Sequence, residues 1–122
     1  MLRIQKSIVR VIVGLLEQGM ERENIMSMAI ILELHVSSEN RDQLLNMLEV
    51  ILPDTRAYTG CQSILVTCND ENPCHIVLLE KWDSRADHER YVAWRAERGD
   101  LTALGAILTA PPSSTHLEII GI

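Results

Sequence analysis

The sequence predicts one α+β domain, a four-stranded antiparallel sheet with helices on one face, and three observations predict it. Runs with strand alternation and stripes with helical spacing follow one another in the order strand, helix, strand, strand, helix, short helix, strand. The second and third strands are joined by Asn69-Asp-Glu-Asn-Pro73, dense in turn formers, as an antiparallel hairpin requires. A chain of 122 residues with 47% hydrophobic content can bury one modest core.

Each element has its own warrant. Met28 to Val36 is apolar and rich in β-branched residues, with Ile30, Leu32, Leu34 and Val36 on one face and Ile31, Glu33 and His35 on the other, so it reads as the first strand. Ser37-Ser38-Glu39 supplies capping chemistry, Leu44, Leu45, Leu48, Ile51 and Leu52 form a helical stripe, and Pro53 is expected to end it. After Tyr58-Thr-Gly60, Cys61 to Cys68 and His75 to Trp82 are the two hairpin strands. Asp83 or Ser84 can cap a helix running to about Arg98, which Gly99 stops. Asp100 is expected to cap a short helix through Leu101, Leu104 and Leu108, closed by Pro111-Pro112, and His116 to Ile120 makes the last strand. This order is the split βαβ of a ferredoxin-like fold. Because Ile76 and Leu78 face one way and Val77 and Leu79 the other, the second sheet face should also be covered, and pairing of two sheets in a homodimer would cover it.

Residues 1–27 precede the predicted domain of residues 28–122. Ile4, Ile8, Val11 and Leu15 recur at helical spacing, punctuated by Arg3, Lys6 and Arg10. Val11 to Leu16 is too short an apolar run for a signal peptide or a membrane span. An amphipathic helix packed on the domain or on a partner is the favoured reading, and an unstructured leader the other.

Composition narrows the function. A net charge of -6 and a pI near 5.1, with no stripe of Lys or Arg, would repel a phosphate backbone, so nucleic acid is not an expected partner. Cys61, Cys68 and Cys74 are odd in number, and their C-x6-C-x5-C spacing fits neither a disulfide framework nor a zinc site. Ordinary thiols in a reducing cytoplasm are the simpler reading, ahead of a metal held by Cys68, Cys74 and His75. No Gly-rich nucleotide loop is present.

Three of the four aromatic residues, Trp82, Tyr91 and Trp94, fall within thirteen positions, and the chain has no Phe. They are either the largest pieces of a core or the lining of a pocket for a flat ligand. Gly60 ahead of the second strand, Leu79-Glu80-Lys81-Trp82-Asp83-Ser84 at the end of the third, and a helix opening Arg85-Ala86-Asp87-His88 together resemble the antibiotic biosynthesis monooxygenase domain family, over roughly residues 28–120. The resemblance implies a dimeric α+β barrel. It also implies one of several activities: cofactor-independent oxygenation of anthrones and quinols, heme degradation, or isomerisation of a phosphorylated signalling molecule. One fold hosts all of them.

The matching residues carry the family's roles only one at a time. Trp82 matches the family's tryptophan, whose ring can stack on a flat substrate, or which can plug the junction of strand and helix. His88 stands where some anthrone-oxygenating relatives have a tyrosine, and an imidazole can take a phenolic or benzylic proton near neutral pH. Tyr91 stands where many relatives carry histidine, and its hydroxyl can orient a substrate oxygen or simply pack with Trp94. His35 is a further candidate for the same cavity, and Trp94 for its wall. Glu80 can act as a base, though a salt bridge to an Arg of the following helix is the expected role. No histidine lies between Glu89 and Thr115, where heme-degrading members place an iron ligand, and Leu78 replaces the asparagine of some quinol oxygenases. The leading expectation is a cofactor-independent monooxygenase acting with dioxygen on a small aromatic, quinol or anthrone substrate. Trp82 would line the pocket and His88 or Tyr91 would handle the proton. An isomerase and a non-catalytic dimeric ligand-binding module are the alternatives.

Overall fold

The computed structural model describes residues 27–122, so the helix expected within residues 1–27 lies outside the described residues. Strands β1 (Met28–His35), β2 (Cys61–Asn69), β3 (Asn72–Trp82) and β4 (Ser113–Glu118) form one antiparallel sheet in the order β2-β3-β1-β4. Helices α1 (Arg41–Ala57), α2 (Arg85–Glu97) and α3 (Asp100–Ile107) complete a ferredoxin-like α+β domain. Leu34, Ile64, Ile76 and Leu78 of the sheet meet Leu44, Leu48 and Leu52 of α1 and Leu104 of α3 in one buried core. Even-numbered residues of β1 and β3 therefore face the helices, and Ile31, Glu33, His35, Val77 and Leu79 face the other way.

Several boundaries differ from expectation, each for a physical reason. Pro53 does not end α1, which continues to Ala57. The last turn is held by tertiary contacts: Leu52 and Thr55 are buried, and the Ile51 carbonyl accepts from the Arg95 guanidinium and the Thr55 hydroxyl. The N-cap of α1 is Asn40, with no side-chain capping bond; Ser37 Oγ instead accepts from the Asn40 N–H. β3 begins at Asn72 and takes in Pro73, which is exposed at the hairpin tip where a missing N–H costs little. Gly99, at φ 81°, precedes α3, and the Asp100 carboxylate is given to Arg95 and Arg98 rather than to capping. α3 ends at Ile107, with Leu108 bridging Val36, and β4 is displaced toward the N-terminus, covering Ser113–Glu118.

The junction of β3 and α2 is fixed tightly. Ser84 caps α2 by accepting from the Asp87 N–H, and the Gly60 carbonyl accepts from the Asp83 N–H at 2.7 Å. Gly60 has φ 92°, and a Cβ there would lie 2.5 Å from the Asp87 side chain. Only glycine allows both the left-handed backbone and this approach.

Candidate functional site

Between the sheet and the helices lies a cavity of about 320 Å³ with walls mainly of leucine, including Leu32, Leu48, Leu78 and Leu104. Among the polar groups that break its apolar lining are Glu80 from β3 and His88, Tyr91 and Arg95 from α2, with Thr55, Asp100 and Ser114 also in the wall. The three helical residues follow i, i+3, i+7 spacing, which puts them on one face of α2. Glu80 reaches the same space because its even parity on β3 matches that of Leu78.

Glu80 is 5% exposed. Its Oε1 accepts from the Trp82 indole N–H at 2.9 Å and lies 3.9 Å from His88 Nε2. Burial pushes its carboxyl up to about 7, against the Trp82 hydrogen bond, which favours the carboxylate. His88 is 7% exposed, and burial, then the nearby His116, pulls its imidazole down to about 4. The two groups are therefore not an ion pair at neutral pH, because His88 is uncharged and Glu80 is near half-ionised. His88 Nδ1 is fully buried and has no hydrogen-bond partner among the described residues.

The second polar group is fully wired. Arg95, 2% exposed, donates from Nε to the Tyr91 hydroxyl at 2.9 Å, from Nη1 to Asp100 at 2.9 Å, and from Nη2 to the Ile51 carbonyl and to Thr55 Oγ1. Burial opposes the guanidinium charge, yet the hydrogen bonds to Tyr91 and Asp100 outweigh it and hold the pKa above its ordinary value. Thr55 gives its hydrogen to Ile51, so Tyr91 donates across the 2.6 Å contact to Thr55 Oγ1. This fixes the Tyr91 ring and places a permanent positive charge at the cavity wall.

The aromatic cluster stands behind this wall. Trp82 is fully buried and is not part of the cavity lining; its ring packs 5.1 Å from Tyr91 and 5.3 Å from His88. Trp94 lies outside the cavity too, between Tyr58 and the guanidinium groups of Arg95 and Arg98. His35 is on the opposite sheet face because of its odd parity, stacked on His75 at 4.5 Å while His75 hydrogen-bonds Glu33. Glu80 makes no ion pair with an arginine of α2, since Arg85 and Arg90 pair with Glu89 and Asp87. Of the residues singled out in the sequence as site candidates, the cavity thus brings together His88, Tyr91 and Glu80. Arg95 was missed, because a charged helix residue gives no sign of burial in sequence. His116, on the short last strand, belongs to no motif.

Cys61, Cys68 and Cys74 are unpaired, and burial, then Glu80, pushes the Cys61 thiol up to about 12, leaving it inert. Among the described residues no three His, Cys, Asp or Glu side chains converge on a metal-sized site, and no helix is long and apolar enough to cross a membrane.

Known proteins share this arrangement of elements. A conserved protein from Methanosarcina mazei Go1 superposes with a TM-score of 0.73 at 15% identity, covering 80% of this chain and 97% of that one. A candidate antibiotic biosynthesis monooxygenase from Deinococcus radiodurans gives 0.68 at 25% identity, covering 75% and 91%. Rv0793 from Mycobacterium tuberculosis gives 0.62 at 25% identity, covering 77% and 95%. No curated protein matches the chain. The sequence profile described as antibiotic biosynthesis monooxygenase matches residues 27–96, from the start of β1 through α2 and the whole Glu80–Arg95 constellation, and the chain belongs to that family.

Proposed function

We propose that this protein is a cofactor-independent monooxygenase that oxidises a small hydroxylated aromatic with dioxygen. The observation that carries the reading is the Glu80 carboxyl, held near pKa 7 in an apolar cavity with the neutral His88 beside it. A general base works best when its pKa lies near the working pH. At about 320 Å³ the cavity sits at the lower end of the roughly 300–1,000 Å³ usual for small-molecule sites, which favours one- or two-ring substrates over anthrones.

In this reading the Glu80 carboxylate, with the neutral His88 beside it, takes the proton of a substrate hydroxyl. The electron-rich phenolate passes an electron to dioxygen, and the two radicals join as a peroxide on a ring carbon, which the Glu80 proton neutralises. Loss of that carbon's hydrogen to Glu80 and cleavage of the O–O bond leave a carbonyl. The departing hydroxide takes the proton back as water, so one oxygen atom enters the product. The Arg95 guanidinium, at the cavity wall, stabilises negative charge on the substrate. The leucine walls exclude water from the carbanion-like intermediate.

The test is oxygen uptake by the purified full-length chain, stripped of metals and flavins, with simple hydroquinones and dihydroxynaphthalenes. Uptake above the uncatalysed rate is expected, with Glu80→Gln reducing it at least a hundredfold. Uptake no faster than the uncatalysed rate for every compound would end the proposal; solvent-deuterium incorporation without uptake would favour an isomerase. We also propose that the protein pairs through the outer sheet face, where Ile31, Leu65, Val77, Leu79 and Leu117 lie opposite the described helices, and that it works in the reducing cytoplasm. Light scattering of the full chain should give a dimer mass, and a monomer at all concentrations would contradict the pairing.

A further inference from the structure

Glu80 is near half-ionised at neutral pH, so in many molecules it has to lose a proton to water before it can act as the base. A bound substrate fills the space in front of it. The strand register shows where a second route runs. Ile30 of β1 pairs with Glu80 on one side and with His116 on the other, so the three residues stand in a row on the helix-facing side of the sheet. Two strand spacings separate Glu80 from His116, about 10 Å, too far for direct exchange. His88 bridges that gap from α2. Its Nε2 is 3.9 Å from Glu80 Oε1, and its ring lies 5.3 Å from the His116 ring at 67°. His116 is half-buried on β4, an edge strand of the sheet.

We infer that Glu80, His88 and His116 form a proton path from the cavity to the edge strand β4, with His116 as its outer station. The inference rests on the reading of Glu80 as the base. In each passage His88 accepts a proton at Nε2 and releases the one on Nδ1 to His116, which hands it to water, and tautomer exchange of the neutral ring restores the N–H at Nδ1 before the next passage. Only N–H and O–H bonds form and break, and no electrons move. The 3.9 Å step is about 1 Å longer than a hydrogen bond, a distance that a tilt of the imidazole closes. The unpartnered Nδ1 is what a relay leaves open between transfers. Among the described residues, the charged and titratable groups around His88 are Glu80 on β3, His116 on β4, and Glu89, Arg85 and Tyr91 on its own helix. Their balance with burial keeps His88 neutral at pH 7, able to accept on one nitrogen while releasing from the other. His116 does not line the cavity, so it acts through His88 and not on the substrate.

His116→Gln in the full-length chain is the test, with 1,4-hydroquinone and 1,4-dihydroxynaphthalene as substrates and circular dichroism to verify the fold. At low buffer concentration kcat should fall about tenfold while KM stays the same, and imidazole at millimolar concentration should restore it, the wild type being indifferent to imidazole. A wild-type kcat in H116Q at every buffer concentration, or a loss that imidazole does not rescue, overturns the path. If the wild type consumes no oxygen, the proposed reaction fails and the path is judged separately by 15N-imidazole NMR. The His88 ring nitrogens should then show a second pH inflection that is absent in H116Q. A single inflection in the wild type overturns the relay.

Discussion

Trp82 acts on the cavity without touching it. Its indole N–H is the hydrogen bond that stabilises the Glu80 carboxylate against burial, and its ring supports His88 and Tyr91 from behind. Trp82→Phe keeps most of that packing and removes the donor. A hydrogen bond to a charged group contributes about 1.5–3 kcal/mol, so the Glu80 pKa should rise by about one unit or more. The ionised form is the base, so the inflection of the kcat/KM profile for oxygen uptake should move from near pH 7 to near pH 8 or above. An unmoved inflection would mean that the indole bond does not set the basicity. Gly60 makes a second residue-level demand. Gly60→Ala brings a Cβ into the Asp87 side chain at a left-handed φ, and urea unfolding should show a loss of roughly 2 kcal/mol or more.

At the scale of elements, α2 and the last turn of α1 hold each other. Arg95 joins them by donating to Ile51 and Thr55 of α1, to Tyr91 on its own helix and to Asp100 of α3. Arg95→Met leaves the side chain's volume but strands these acceptors, and a broken buried polar network costs about 3 kcal/mol. The variant should unfold at lower urea, and Arg95→Lys should recover little, because an ammonium cannot meet acceptors spread over three elements. The same network explains what the sequence could and could not tell. Strand alternation and leucine stripes are local patterns, so the element order, the hairpin and the Ser84 cap were legible. Pro53 was misread because the contacts that carry α1 past it come from a residue over forty positions away. Glu80 was assigned to an arginine because pairing is the common fate of a carboxylate near cations, and the sequence does not show that Arg85 and Arg90 have closer acidic neighbours. For His35 the alternation was readable: it put this residue on the face opposite Leu34, away from the cavity.

The whole molecule carries two buried titratable groups whose shifts oppose each other, and this sets a pH signature for folding. Glu80 is raised from 4.5 to about 7, and His88 is lowered from 6.5 to about 4. For Glu80 the folded state binds the proton more tightly, so its contribution is fully present below pH 4.5 and is lost as pH rises through 7. For His88 the unfolded state binds it more tightly, so its contribution is fully present above pH 6.5 and is lost as pH falls through 4. Between pH 4.5 and 6.5 the unfolded chain holds the proton on the histidine and the folded chain holds it on the carboxyl. The counts are equal, and the pair adds no slope to stability there. At about 1.4 kcal/mol per pKa unit, each shift amounts to roughly 3 kcal/mol. Urea unfolding across pH should therefore separate the two groups when each variant is compared with the wild type. Glu80→Gln should gain up to roughly 3 kcal/mol relative to wild type as pH rises from 4.5 to 7, and His88→Gln a similar amount as pH falls from 6.5 to 4. A flat difference curve for either variant would show that its residue titrates at an ordinary pKa. For Glu80 that would remove the basis for a base poised at neutral pH, since the cost of burying the carboxylate is the same quantity that tunes it.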